Sequence, residues 1–162
     1  MVNIHERKGF TLIELLVIII IIGLLAVAVI VSLNSVRAKA RDSKRVSDVR
    51  QMSKLLDNQE ASTPGSNLVG CAGGDVYVKR CVGPGDIVQF NTMNFADPSN
   101  SATVCANGIS ATCQYSISQA GGGANPKTSD YEICFFLEQN VTGIGVNMQR
   151  IGPAGVFNSG CN

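Results

Sequence analysis

From Phe10 to Val31 the chain runs for 22 residues with a single charge, Glu14. As an α-helix that run is about 33 Å long, against a bilayer hydrocarbon core of about 30 Å. A segment of this kind settles in lipid or inside a bundle of its own copies. Placing a charged side chain in hydrocarbon costs about 2.5–17 kcal/mol, so a carboxylate inside such a run is a functional residue by default. The basic pair Arg7-Lys8 stops at Gly9 and the apolar run begins at once. That junction reads as a processing site ahead of a membrane segment. An ordinary secretory signal has a shorter apolar region and a small-residue cleavage site after it, a pattern that Ala26 and Ala28 only approach. An uncleaved signal anchor is the plain alternative.

With 162 residues the chain has room for one compact domain beside this helix. The expected division is a leader over 1–9, a membrane or filament-core half of the helix over 10–31, an amphipathic half over 32–61, and a cysteine-containing β domain over 62–162. Val36, Ala40, Val46, Val49, Met52 and Leu56 recur at mostly three- to four-residue spacing, and neither Pro nor Gly occurs between Leu24 and Ala61. The helix should end at Ser62-Thr63-Pro64-Gly65. Weak surface pairs are expected at Lys44–Asp48 and Arg45–Asp48. Strands are expected at Ile87–Phe90, Thr112–Ser118, Tyr131–Leu137 and Ile144–Ile151. In the third, Tyr131, Ile133, Phe135 and Leu137 take one face, and Glu132, Cys134, Phe136 and Glu138 the other. Gly121-Gly122-Gly123 reads as an exposed, mobile loop. The fold class is therefore α+β, a long spine helix on a small antiparallel sheet.

All six cysteines follow the apolar run: Cys71, Cys81, Cys105, Cys113, Cys134 and Cys161. None forms a Cys-x-x-Cys, and the one histidine, His5, precedes the run, which argues for disulfides over zinc and for an oxidising compartment. Six cysteines allow fifteen connectivities. The pairing adopted is sequential: Cys71–Cys81, Cys105–Cys113 and Cys134–Cys161. From Arg37 to Lys54 seven basic residues stand against Asp42 and Asp48, a local +5, whereas the leader carries +1. The positive-inside rule alone would put the C-terminal part in the cytoplasm. The cysteines and the cleavage junction argue the opposite, and we follow them. The basic stretch reads as a solvated face, or as cations near lipid headgroups, rather than a nucleic-acid site.

The sequence carries no P-loop, no G-x-S-x-G and no H-E-x-x-H. Asp86, Asp97 and Asp130 lack the close spacing of a specific calcium site. No enzyme, cofactor or metal is expected; the chemistry is done to this chain rather than by it.

Lys8-Gly9 followed by Phe10-Thr11-Leu12-Ile13-Glu14-Leu15-Leu16 and an apolar helix with Gly23 resembles the N-terminus of type IV pilin and pseudopilin precursors, over residues 7–30. The resemblance implies that a prepilin peptidase cuts between Gly9 and Phe10 on the cytoplasmic side and N-methylates the new Phe10 amine. It implies that Glu14 meets the Phe10 amine of a neighbouring subunit during assembly. Membrane lipid before assembly, an inner-membrane assembly platform, other pilins and further copies of the chain are then the partners. The fibre is an open helical polymer with the 10–31 segments as its core. Many pilins have proline where this chain has Val31, and the family commonly has one C-terminal disulfide, which Cys134–Cys161 resembles. The expected role is a structural subunit of a type IV pilus on the cell surface, serving adhesion, twitching or DNA uptake. One alternative is a pseudopilin of a type II secretion or competence machine. A second is a membrane-anchored extracellular binding domain that never polymerises.

Overall fold

Helix α1 runs without interruption from Leu12 to Ser62, 51 residues, through Gly23. The computed structural model describes residues 9–141 and 143–162, so all of the expected leader except Gly9 lies outside the described residues. The helix stops where the breaker cluster begins. The Thr63 amide still reaches the Gln59 carbonyl at 2.8 Å, Gly65 turns into positive φ at +67°, and the Gly65 amide is taken up by the Glu60 carboxylate at 2.7 Å.

The chain divides into two compact units, Met1–Arg37 and Ala38–Asn162, and the division falls within α1. In the first unit every side chain described from Phe10 to Ala28 is exposed. An 18-residue window of the helix has a mean hydropathy of 3.4. A helix apolar all round finds its stable surroundings in lipid or among other helices, not in water.

The second unit is held by a five-stranded antiparallel sheet in sequential order: β1 (Val76–Tyr77), β2 (Ser116–Ser118), β3 (Glu132–Leu137), β4 (Asn147–Ile151) and β5 (Phe157–Ser159). Ile133 of β3 pairs with Ile117 of β2 and Ile151 of β4. From the helix, Val46, Val49, Met52 and Leu56 are buried in one apolar cluster with Tyr131, Ile133, Phe135 and Leu137. The three- and four-residue spacing of the first set and the two-residue spacing of the second are the periods of a helix face and a strand face. Val36 and Ala40 share the helical spacing but are exposed. Ser53 and Tyr131 close the interface with a hydroxyl–hydroxyl bond of 3.0 Å.

Alternation along β3 follows the sequence pattern, but both of its faces are buried. The outer face carries a second cluster of Cys134, Phe136, Met148, Cys105, Cys113 and Cys161. The disulfides are Cys71–Cys81, Cys105–Cys113 and Cys134–Cys161, with Cα separations of 4.9, 5.0 and 5.9 Å. Two of the three thus form the lid of the sheet's outer face. Each removes chain entropy from the unfolded state worth about 2–4 kcal/mol.

Ile87–Phe90, expected as a strand, is helical: a 3-10 turn over Gly85–Val88 leads into the short helix α2, Gln89–Thr92. Ile87 and Phe90 are fully buried while Val88 between them is exposed, a three-residue period that four residues of sequence cannot separate from alternation. The expected strand over Thr112–Ser118 shortens to β2, because Cys113 is held in its disulfide and Gln114 bridges instead to Val104. The expected strand over Ile144–Ile151 begins only at Asn147, since Val141 and Ile144 close a tight turn at Gly143. The two-residue β1 and three-residue β5 lie in Gly- and Pro-rich sequence and carry no pattern long enough to read. Gly121-Gly122-Gly123 is a closed turn rather than an open loop, with the Gln119 amide on the Gly123 carbonyl at 2.9 Å. Gly122 has φ +79°, and a Cβ there would stand 2.6 Å from the Asn162 carbonyl oxygen, so only glycine fits.

Candidate functional site

Gly9 and Phe10 are exposed and precede the first helical residue, leaving the expected cleavage junction in non-helical backbone. Phe10 is 80% exposed. Helix α1 starts at Leu12 because Thr11 caps it. The Glu14 amide donates to Thr11 Oγ1 at 3.3 Å, and the Thr11 amide donates back to Glu14 Oε2 at 2.9 Å. This is the reciprocal Ser/Thr-x-x-Glu capping box, which satisfies two backbone donors left without intrahelical partners. The Thr11 hydroxyl adds a further bond to the same oxygen at 2.9 Å. A carboxylate in the first turn also meets the positive end of the helix dipole. Around it Phe10, Ile13, Val17 and Ile18 line a shallow apolar groove. Glu14 stood out in the sequence as an expensive charge. That it is also a capping residue was legible in Thr11-x-x-Glu14 and was missed.

A second charged assembly lies wholly in the C-terminal unit. The Arg45 side chain is fully buried, as is that of its partner Asp42. Its Nε and Nη2 fork onto Asp97 at 2.5 and 3.0 Å, and its Nη1 reaches Asp42 at 2.6 Å and Glu138 at 2.7 Å. Arg41 adds a two-pronged pair to Glu138 at 2.8 and 2.5 Å. Asp42 in turn accepts the backbone amides of Glu138 and Gln139 at 3.1 and 2.7 Å. The basic stretch is therefore not a uniformly solvated face. Arg45 pairs with Asp42, not with Asp48, because the carboxylates of Asp97 and Glu138 draw its guanidinium inward. Lys44–Asp48 is present at 2.6 Å. Apolar helix spacing hid this cluster, and only contacts 52 to 97 residues apart complete it.

Burial opposes the charge on Arg45, and the hydrogen bonds to Asp97, Glu138 and Asp42 overcome it, so its pKa is raised. The hydrogen bond from Arg41, helped by Arg45 and opposed by burial, lowers the Glu138 carboxyl to about 2 from 4.5. A depressed carboxyl stabilises the fold above its unfolded pKa and loses that contribution as pH falls through the folded value. Stability of the full chain in detergent is expected to fall between about pH 4.5 and 2. A Glu138→Gln variant should be less stable at neutral pH and flatter across that window. Urea midpoints followed by tyrosine fluorescence at stepped pH check this, and equal slopes in the two chains would refute it.

Asp97 is committed to Arg45, and Asp130 accepts from Gln119 Nε2 at 2.7 Å. Among the described residues, no group of three or more His, Cys, Asp or Glu side chains is placed to hold a metal ion.

Residues 4–30 match the family described as "Prokaryotic N-terminal methylation motif". Over 52 residues the chain is 42% identical to the type II secretion system core protein G of Escherichia coli (strain K12), covering 32% of this chain and 36% of that protein. Against the core protein G of Pectobacterium carotovorum subsp. carotovorum it is 40% identical over 53 residues, covering 33% and 34%. Against that of Aeromonas hydrophila it is 41% identical over 53 residues, covering 33% and 37%. The chain thus spans about a third of the length of the curated relatives it matches. No solved structure matches significantly. The N-terminal third of this chain thus carries the methylation motif on a capped apolar helix and is similar there to type II secretion system core proteins G.

Proposed function

We propose that this chain is a pseudopilin-class structural subunit, without a reaction of its own, that polymerises through its N-terminal helix. A peptidase cuts after Gly9 and methylates the Phe10 amine. The 10–31 segment then holds the subunit in the cytoplasmic membrane, with the disulfide-linked unit on the oxidising side. Assembly draws the apolar helices out of lipid into a filament core, where Glu14 of one subunit meets the Phe10 amine of another. The observation that carries this reading is Glu14 itself, a capped carboxylate at the fifth residue after the junction in a run otherwise suited to hydrocarbon. An ion pair among packed helices recovers Coulomb energy that a lone carboxylate in lipid forgoes.

Within that class, relatives named as type II secretion core proteins favour a secretion-type pseudopilus over a long surface pilus for adhesion or twitching. The type IV pilus reading rests on the three-disulfide domain alone. The test is intact mass with N-terminal sequencing of the protein from its native host. A chain beginning at methylated Phe10 is expected. A chain beginning at Met1, or cut after Ala28, overturns the reading. Fibre length in electron micrographs and the effect of gene deletion on protein export then separate pseudopilus from pilus.

A further inference from the structure

Both donors that reach the Glu14 carboxylate fall on one of its two oxygens. The Thr11 amide and the Thr11 hydroxyl each bond Oε2 at 2.9 Å, and Oε1 has no partner among the described residues. The carboxylate is thus half-satisfied by its own helix start, at the edge of the groove lined by Phe10, Ile13, Val17 and Ile18. We infer that Thr11 is a positioning residue for filament assembly: it holds Oε2 so that Oε1 is presented to the Phe10 amine of the incoming subunit. This rests on the Glu14–Phe10 pairing proposed above and gives each oxygen of that pair its own task.

Several physical points support the division. An unheld glutamate carboxylate samples rotamers about three torsions, and ordering it at the moment of docking would weaken the pair. A carboxylate in apolar surroundings without donors is costly, and two donors on one oxygen relieve that cost while leaving lone pairs on the other. A cationic amine arriving at Oε1 adds a charge-assisted bond without displacing those from Thr11. Phe10 itself stays out of the cap: it precedes the capping residue and its side chain is exposed.

The test uses the full chain expressed in its native host, as wild type, Thr11→Ser, Thr11→Val and Glu14→Gln. Membranes and sheared fibres are treated with a carbodiimide, which joins a carboxylate directly to an amine with loss of water. No Lys or Arg lies between Phe10 and Val36, so trypsin releases the segment from Phe10 to Arg37 whole. A Glu14–Phe10 link between subunits appears as a linked dimer of that peptide, distinct in mass from an internal link. Thr11→Ser, which keeps the hydroxyl, should match wild type. Thr11→Val should lose the dimer by about tenfold, the effect of one hydrogen bond to a charged group, with the membrane pool and the Phe10 methylation unchanged. Equal dimer yield in Thr11→Val overturns the role of Thr11 and leaves the pairing standing. Loss of the membrane pool in step with the dimer reduces Thr11 to a helix cap and also overturns it. Absence of the dimer in wild type, with fibres intact in Glu14→Gln, sinks the pairing itself.

Discussion

Arg45→Met is expected to lower the unfolding free energy of the C-terminal unit by about 3–5 kcal/mol, a large share of the roughly 5–15 kcal/mol that domains possess. The methionine fills much of the arginine's volume, so the loss is electrostatic rather than a cavity. Asp42 and Asp97, both held against the guanidinium at 2.5–2.6 Å, would be left buried without their cation. Arg45→Lys should recover little, because an ammonium cannot fork onto Asp97 while also reaching Asp42 and Glu138. Arg45→Met combined with Asp97→Leu should regain part of the loss, since replacing both sides of a buried pair by apolar groups is often close to neutral. Urea denaturation of the full chain in detergent, read by the fluorescence of Tyr77, Tyr115 and Tyr131, measures all three. A shift below about 1 kcal/mol for Arg45→Met would mean that the cluster is solvated and contributes as a surface pair does.

Glu14→Leu is expected to act in the opposite compartment and in two opposite directions. Leucine suits hydrocarbon better than a carboxylate, so insertion of the helix should be unimpaired or improved. Assembly should nevertheless fall by well over tenfold, because close interfacial charge pairs couple by about 1.5–7 kcal/mol and a fibre repeats the contact at every subunit. Immunoblots of sheared fibres against the membrane pool give both numbers from one culture. Glu14→Asp should assemble poorly as well, its carboxylate being one methylene short of the Thr11 donors. Fibres at wild-type level in Glu14→Leu would remove the pairing and favour an anchored, non-polymerising domain.

What was legible in the sequence follows from how local each signal is. A 22-residue apolar run, a break at Pro64-Gly65 and the alternation of Tyr131 to Leu137 each lie within one segment. The corresponding helix and β3 appear where those patterns put them. Ile87–Phe90 was misread because an apolar pair three apart fits a helical turn as well as a short strand. The Arg45 cluster was invisible for a different reason: its members belong to the helix, to the segment around Asp97 and to the end of β3. Distance in sequence, not weakness of interaction, concealed it. At Thr11 and Glu14 the reverse holds. The pattern was local and readable, but the cost of the charge in lipid drew the reading away from its role as a cap.

Disulfides weigh unequally on the two sides of β3. Toward the helix the sheet is sealed mainly by aliphatic and aromatic side chains, with the Cys71–Cys81 disulfide buried among them; on its other side Cys105–Cys113 and Cys134–Cys161 do much of the covering. Exposure to a reductant therefore weighs most heavily on the outer side, which holds two of the three disulfides. The loops over the outer face would be released, while the helix–sheet layer loses one cross-link and keeps its apolar contacts. A subunit made before its thiols are oxidised can already hold the half-structure that faces its spine, and oxidation then completes the outer surface as a separate event in its maturation.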